Sequence, residues 1–230
     1  MPDTRDMNWS DLYENNIRSY QKGRPKRGIF IADHLIRTGL HEQIESFLEE
    51  GSFSAKDSIY LAERFRGKYC IATDLNESAM KGAAHSQVSS CVADAFKLPF
   101  SDRQFSVTFH SGLIVLFHNE EAIRIVEEQL RVTAKIAFVF AHNQHNRVDN
   151  LASLLKRIAG KRIFTFRRFT TADLQAIGER TGCSFEIVAY DNMLENFVSR
   201  NVPWLLPTVR LLRLHRIKAL ANELVLIITP

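Results

Sequence analysis

The sequence predicts a doubly wound α/β protein, in which a mostly parallel sheet lies between two layers of helices. From residue 46 onward, short apolar and β-branched runs alternate with segments of helical periodicity. The runs VTFHSGLIVLF and AKIAFVFAH are dense in apolar and β-branched residues, which is typical of strands covered on both faces. With 230 residues and 45% hydrophobic content, the chain is long enough to bury the core of one domain.

The elements follow from these patterns in chain order. The candidate strands are 46–50, 69–73, 88–92, 105–111, 134–141, 184–190 and 223–229. The candidate helices in and after the first βαβ unit are 56–66, 77–84, 119–131, 147–159, 171–181 and 204–220.

Residues 1–45 are predicted to form a helical lead-in to the domain of residues 46–230. Ser10 is a candidate N-cap for a helix over 9–22, and 29–45 carries apolar residues at helical spacing. A long segment, 191–222, joins the last two strands as a helical insertion. It contains no βαβ crossover that would force those strands to be parallel.

Charge is distributed unevenly along the chain. The net charge is +4, but residues 151–218 contain 12 Lys and Arg against 5 Asp and Glu. A basic C-terminal third is suited to phosphate-bearing or acidic partners, and it is equally consistent with an ordinary solvated surface.

Cysteine usage and hydropathy give an expected location. Cys70, Cys91 and Cys183 contain no CxxC pair, so we expect free thiols in a reducing compartment. The polar N-terminus shows no signal peptide, and no apolar run approaches the ~20 residues that span a bilayer. The expected location is cytoplasmic, with no transmembrane segment.

The first candidate binding site lies in residues 45–75. An acid-acid-glycine sequence (49–51) and a small-residue loop lead into a helix, and the next strand stops at Asp74. This is the layout of a nucleotide-binding βαβ unit, in which the turn backbone approaches the ligand and the acid accepts hydrogen bonds from ribose hydroxyls. Alternatively, Asp74 only caps the helix that begins near Glu77.

A second acid follows the third candidate strand. Asp94 and Ala95 come directly after 88–92, and a carboxylate next to a backbone N–H can recognise the amino group and ring nitrogen of adenine. On its own, Asp94 is equally consistent with a simple turn residue.

Four stretches together resemble the class I S-adenosylmethionine-dependent methyltransferases, and most of all the type 11 group of quinone and small-molecule methyltransferases. They are LEEGSFSAKDSIYLAE, IATDLNESAM, VADAFKLPFSDRQFSVTFHSGL and FTTADLQAIGERTG. The resemblance covers about 45–190. It implies a Rossmann-like, seven-stranded sheet whose last strand is antiparallel and lies between the fifth and the sixth.

The resemblance also implies a cofactor and its contacts. The cofactor is S-adenosylmethionine, with S-adenosylhomocysteine as product. Its methionine part is expected over Glu49, Gly51, Ser52 and Phe53. Asp74 is expected to bind the ribose hydroxyls, Leu75 to pack on the adenine, and Asp94 with Ala95 to bind the adenine edge. His110 and Ser111 are expected to face the sulfonium and the acceptor.

The glycine motif departs from the family pattern of acid-x-Gly-x-Gly-x-Gly. Here it reads Glu49-Glu50-Gly51-Ser52-Phe53-Ser54-Ala55, so a phenylalanine stands at the second glycine position. Its ring is expected to clash with the cofactor or to require an altered loop. An alternative function follows, namely a non-catalytic, methyltransferase-like binding or regulatory protein.

Methyl transfer from a sulfonium depends on alignment more than on acid–base groups. A hydroxyl acceptor still needs a base, and His110, His118, His142 and His145 are candidates. We predict His110 and His142 as the catalytic residues. No histidine and carboxylate pair has a recognised metal-ligand spacing.

Two basic C-terminal segments suggest partners beyond a small-molecule or lipid-like acceptor. Residues 156–169 interleave six basic residues with phenylalanines, which suits RNA, and an RNA-directed methyltransferase is a further alternative. An ordinary amphipathic segment has the same composition. Residues 202–221 suggest first a lid over the acceptor, then a homo-oligomer contact or an anionic membrane contact.

Overall fold

The computed structural model describes residues 23–82, 85–147, 166–214 and 217–230. Seven strands form one sheet in the order β3-β2-β1-β4-β5-β7-β6. Their bounds are β1 Ser46–Glu50, β2 Tyr69–Asp74, β3 Ser89–Val92, β4 Phe105–Ser111, β5 Thr133–His142, β6 Ser184–Asn192 and β7 Ala221–Thr229.

The sheet has the predicted topology. Strands β1 to β5 run parallel to one another, and β7 runs antiparallel between β5 and β6. Because His142 at the end of β5 pairs with Glu223 near the start of β7, the insertion that precedes β7 lies at the carboxyl edge of the parallel strands. The predicted antiparallel last strand is confirmed.

Helices cover both faces of the sheet. They are α1 Lys26–Arg37, α2 Lys56–Arg64, α3 Glu77–Gly82, α4 Asn119–Val132, α5 Thr171–Thr181, α6 Met193–Asn201 and α7 Leu206–Leu211. Helices α1 and α2 pack on one face with Phe47, Phe109 and Phe138 of the sheet. Helices α4 and α5 pack on the other. None of the helices within the described ranges is long and apolar enough to cross a bilayer.

Helix α1 sits directly on the start of α2. The backbone N–H of Gly28 donates to Asp57 Oδ1 at 2.8 Å. A Cβ atom at Gly28 would lie 2.9 Å from the carbonyl oxygen of Asp57, so only glycine permits this approach. The contact holds α1 beside the loop that follows β1.

The N-terminal and central helices differ in part from the predictions. Helix α1 begins at Lys26 and ends at Arg37, and a short 3₁₀ turn at Leu40–Gln43 follows the left-handed Gly39 (φ +74°). The predicted helix 9–22, nearly all of 147–159 and most of the basic-aromatic segment 156–169 lie outside the described residues. The boundary between 1–45 and 46–230 stays a prediction.

The predicted continuous helix over 204–220 is wrong. The insertion instead contains α6, which the sequence did not indicate, a 3₁₀ turn at Pro203–Leu205 and the short α7. Asn192 caps α6 by accepting hydrogen bonds from the N–H groups of Leu194 and Glu195. The chain reverses soon after α7, where Arg213 has a left-handed φ of +54°, so one straight helix cannot continue.

Candidate functional site

A cavity of about 1000 Å³ opens at the carboxyl edge of the sheet, where ligands bind in open α/β folds. It is bordered by the ends of β1, β2, β4 and β5 and by the loops that follow them. Ten predicted site residues line it: Glu49, Gly51, Ser52, Phe53, Asp74, Leu75, Asp94, Ala95, Ser111 and His142.

The loop after β1 keeps a left-handed, glycine-like backbone at three positions, although only the first of them is a glycine. Gly51, Phe53 and Ala55 have φ values of +58°, +49° and +50°. A left-handed backbone costs an L-residue roughly 1–2 kcal/mol, so the loop stores strain at Phe53 and Ala55. The N–H of Phe53 donates to Asp74 Oδ2 at 2.9 Å, which ties this loop to the end of β2.

The ring of Phe53 does not close the cavity. It is half-buried and packs against the core on the α1 and α2 face, while it also forms part of the cavity wall. The loop therefore accommodates the phenylalanine by directing part of the ring onto the core.

Asp74 and Asp94 lie at the ends of neighbouring strands and both line the cavity. Asp74 accepts from the N–H groups of Phe53 and Asn76, each at 2.9 Å, and burial raises the pKa of its carboxyl. The side chain that caps α3 is Asn76, which accepts from the N–H of Ala79. Asp94 Oδ1 accepts a hydrogen bond from the N–H of Phe96 in a tight turn, and the side chain stays exposed to the cavity.

Three further features of the wall suit a ligand that has both an apolar ring and polar atoms. Leu75 is 71% exposed although it lies inside a cleft. The buried hydroxyl of Ser52 has no hydrogen-bond partner among the described residues. At Gly51, a Cβ atom would approach Leu113 to 3.0 Å, and the left-handed φ also favours glycine there. A ligand can therefore contact bare backbone at Gly51.

Sequence reasoning missed the charged residues at the loop end of the cavity. Arg27, Lys56 and Asp57 line it there. Arg27 forms a two-point ion pair with Glu223, in which Nε lies 3.2 Å from Oε2 and Nη2 contacts Oε1. Burial opposes the charge on Arg27, but Glu223 offsets it, and the pKa of Arg27 is raised. The sequence did not indicate Arg27, because its partner Glu223 in β7 is 196 positions away.

Glu49 lies fully buried beneath the loop. Its Oε2 accepts from the N–H of Ser58 at 3.1 Å and from the Ser58 hydroxyl at 2.6 Å. Burial, and then the nearby Asp57, raise the pKa of Glu49 to about 8. The carboxyl is therefore largely protonated at neutral pH, and a cation placed beside it would favour its ionised form.

The opposite end of the cavity is aromatic. Phe96 and Phe117 meet edge to face at 5.1 Å, and the rings of His142 and Phe166 lie 5.7 Å apart at an angle of 36°. All four side chains line the cavity. This end combines apolar walls with one imidazole, which suits a planar or aliphatic acceptor that has one ionisable group.

His110 does not line the cavity, in contrast to its predicted place beside the sulfonium. Successive residues of a strand face opposite sides, so His110 and Ser111 cannot both face the ligand. His110 pairs in register with Glu50, and both are fully buried without side-chain hydrogen bonds among the described residues. Burial lowers the pKa of His110 to about 3. We therefore leave His110 out of the proposed site.

His118 and His145 also lie apart from the cavity. His118 immediately precedes α4, and its backbone N–H bonds Glu121. His145 is exposed, and its Nε2 accepts from the N–H of Thr171 at 3.4 Å. Among the described residues, no group of three or more His, Cys, Asp or Glu is arranged to hold a metal ion.

Residues 48–141 match the family model described as Methyltransferase domain. No curated protein is similar enough in sequence to match the chain.

Solved structures resemble the fold over nearly the whole chain. A SAM-dependent methyltransferase from Archaeoglobus fulgidus has a TM-score of 0.63 at 14% identity, over 97% of this chain and 100% of that one. Magnesium protoporphyrin IX methyltransferase from Synechocystis PCC 6803, crystallised with bound SAH, has a TM-score of 0.60 at 14% identity, over 94% and 85%. A putative sarcosine dimethylglycine methyltransferase from Galdieria sulphuraria has 0.56 at 11%, over 88% and 83%.

Proposed function

We propose that the protein transfers a methyl group from S-adenosylmethionine to a small-molecule or lipid-like acceptor, which is in keeping with the match of residues 48–141 to the family model described as Methyltransferase domain. One observation carries this proposal. The left-handed loop 51–55 and the acids Asp74 and Asp94 converge on a single cavity at the carboxyl edge of the sheet. The cavity is large enough for a nucleoside cofactor and an acceptor together.

The nucleoside half of the cofactor is assigned to the ends of β2 and β3. Asp74 accepts hydrogen bonds from the ribose hydroxyls, because its carboxylate borders the cavity at the end of β2. The exposed Leu75 covers one face of the adenine, and Asp94 with the N–H of Ala95 binds its edge. The buried hydroxyl of Ser52, which has no hydrogen-bond partner among the described residues, is available to the ligand.

The methionine half is assigned to the charged end of the cavity. Arg27 and Lys56 provide positive charge for its carboxylate, and Glu49 provides negative charge for its ammonium once it has lost its proton. Arg27 and Lys56 belong to α1 and α2, which the Gly28–Asp57 contact holds together, and Glu49 accepts hydrogen bonds from Ser58 of α2.

The cofactor supplies an electrophilic methyl group on a sulfonium. The role of the protein is to hold the acceptor in the correct orientation. Such positioning strongly lowers the activation barrier of a bimolecular reaction. Ser111 borders the reacting region, and the aromatic walls at Phe117 and Phe166 keep water away from it. For a hydroxyl acceptor, His142 takes the proton as general base.

Calorimetric titration with S-adenosylmethionine and S-adenosylhomocysteine tests the proposal. We expect micromolar binding, worth about 8 kcal/mol, that is weakened in Asp74→Asn and Asp94→Asn. A matched control is Asp102→Asn, an exposed acid that bonds Arg131 outside the cavity lining. Absence of binding by the folded wild-type protein contradicts the proposal, and so does equal binding by all variants.

A non-catalytic role is the second candidate, and the strained Phe53 and Ala55 are the observation that favours it. If that role is the true one, the wild type binds the cofactor weakly and Phe53→Gly tightens binding sharply. A nucleic-acid partner through 156–169, a homo-oligomer and a cytoplasmic location stay predictions from the sequence.

A further inference from the structure

The insertion between β6 and β7 carries a cluster of apolar side chains that face solvent. Trp204 is 74% exposed, Leu211 82% and Leu212 61%, with Phe197 and Ile217 also exposed. None of these five side chains lines the cavity. We call this set the insertion face. Its apolar groups lie on the outer surface of the protein, so a lid over the cavity does not account for them.

The insertion face is also strongly cationic. Between Glu195 and Glu223 the sequence has four arginines, one lysine and no acidic residue. Arg210 pairs with Glu195. By contrast, Arg200 and Arg213 have no carboxylate within ion-pairing distance in the part of the chain that the structure describes.

Hydrogen bonds fix the insertion, which carries this face, to the carboxyl edge of the sheet. The Asn143 side chain, next to His142, donates to the carbonyls of Lys218 and Ala221 at 2.6 and 2.8 Å. Asn192 likewise donates to the carbonyl of Leu214 at 3.2 Å. The insertion is therefore fixed to β6 and to the residue that follows β5, and the end of β5 borders the aromatic part of the cavity.

We propose that the insertion face docks on an anionic lipid surface. Trp204, Leu211 and Leu212 enter the headgroup region, where an indole ring and aliphatic side chains are both stable. The arginines bind lipid phosphates, and each basic residue near an anionic surface contributes about 1 kcal/mol.

Charge decides between a lipid surface and a second copy of the chain. Self-association through the insertion face would bring two surfaces with an excess of arginine together, and like charges repel. An anionic bilayer complements both the apolar groups and the cations. The docking itself does not depend on the proposed methyl transfer.

Vesicle co-sedimentation of the full chain tests the proposal. We expect binding to phosphatidylcholine vesicles that contain phosphatidylglycerol, and roughly tenfold weaker binding without the anionic lipid. Leu211→Ser combined with Leu212→Ser lowers binding by about tenfold, since two aliphatic side chains no longer enter the headgroup region. Arg200→Gln combined with Arg213→Gln abolishes the preference for anionic lipid.

The matched control is Tyr69→Ser, which removes a side chain that is 54% exposed at the amino end of β2, away from the insertion. It should bind vesicles like the wild type. Trp204 gives a second readout, because the chain has only two tryptophans and Trp9→Phe leaves Trp204 as the sole emitter. Its emission should shift to the blue on anionic vesicles only.

Three results overturn the proposal. They are no binding to anionic vesicles, binding that the Leu211 and Leu212 substitutions leave unchanged, and a dimer in the absence of lipid that dissociates when those leucines are replaced. Because no step uses the cofactor, failure here leaves the cofactor titration unaffected.

Discussion

Single residues in the loop after β1 carry a measurable strain. Ala55 has a left-handed φ of +50° and is fully buried. Ala55→Gly removes the steric cost of that conformation but makes the unfolded chain more flexible. We expect the first effect to dominate and the free energy of unfolding to rise by about 0.5–1 kcal/mol, as measured by urea denaturation.

The same substitution in a helix provides the control. Ala62 lies in α2 and is also buried. Ala62→Gly should lower the free energy of unfolding by about 1 kcal/mol, because glycine is a poor helix former. If both variants lose stability alike, Ala55 is not strained.

Glu49 is expected to release a proton when the cofactor binds. Its folded-state pKa is about 8, so it is mostly protonated at pH 7, and a ligand ammonium beside it favours the carboxylate. The binding heat at pH 7 should therefore differ between phosphate and Tris buffers by an amount that corresponds to up to one proton. In Glu49→Gln this difference should disappear. Equal heats in both buffers for the wild type would contradict the assignment.

The raised pKa of Glu49 also determines how this residue makes the stability of the fold depend on pH. The pKa of Glu49 is raised from 4.5 to about 8, so the folded state binds the proton more tightly than the unfolded state. The stabilisation from this group is complete below pH 4.5 and is lost as the pH rises towards 8. Glu49→Gln should therefore show a flatter decline in unfolding free energy between pH 5 and pH 8.

At the scale of elements, the predicted bounds of the seven strands and of α2 to α5 agree with the structure to within two residues at each end, and the prediction fails in the insertion. The bounds of β1 and β4 agree with the prediction at both ends, and a glycine with a left-handed φ, Gly51 or Gly112, directly follows each strand. The insertion was predicted as one helix because its apolar spacing is helical. Periodicity does not show where Pro203 and Pro207 allow new helical turns to start, or that Asn192 caps an earlier helix.

The Arg27–Glu223 ion pair fastens α1 to the start of β7. The Glu223 side chain is only 8% exposed, so Arg27→Met would leave a buried carboxylate without its partner. We expect the free energy of unfolding to fall by about 2–4 kcal/mol, somewhat less than for a fully buried pair.

The double variant Arg27→Met with Glu223→Met is the control, because it removes both charges together. It should recover most of the lost stability, as is common when an ion pair is replaced by apolar groups. A double variant as unstable as the single one would show that packing of the Arg27 stem, rather than the charge, holds α1 in place.

Across the whole molecule, the site combines residues that the sequence could and could not indicate. Asp74 and Asp94 were predictable, because an acid at the end of a parallel strand reaches the carboxyl edge regardless of distant contacts. Arg27 was not, since its partner Glu223 is 196 positions away. The predicted place of His110 beside the ligand does not agree with the structure. Successive residues of a strand face opposite sides, so His110, which pairs with Glu50, points away from the side that Ser111 faces.

Because one cavity joins four strand ends and two loops, a bound ligand should stabilise the molecule as a unit. At a concentration of 100 times the Kd, S-adenosylhomocysteine adds about 2.7 kcal/mol. For a chain of 230 residues, this corresponds to a rise in Tm of about 5–10 °C. Differential scanning fluorimetry measures it, with ATP as an adenine-containing control that should give a much smaller shift. An equal shift in Asp74→Asn would mean that the ligand binds elsewhere, because the end of β2 would then contribute nothing to the site.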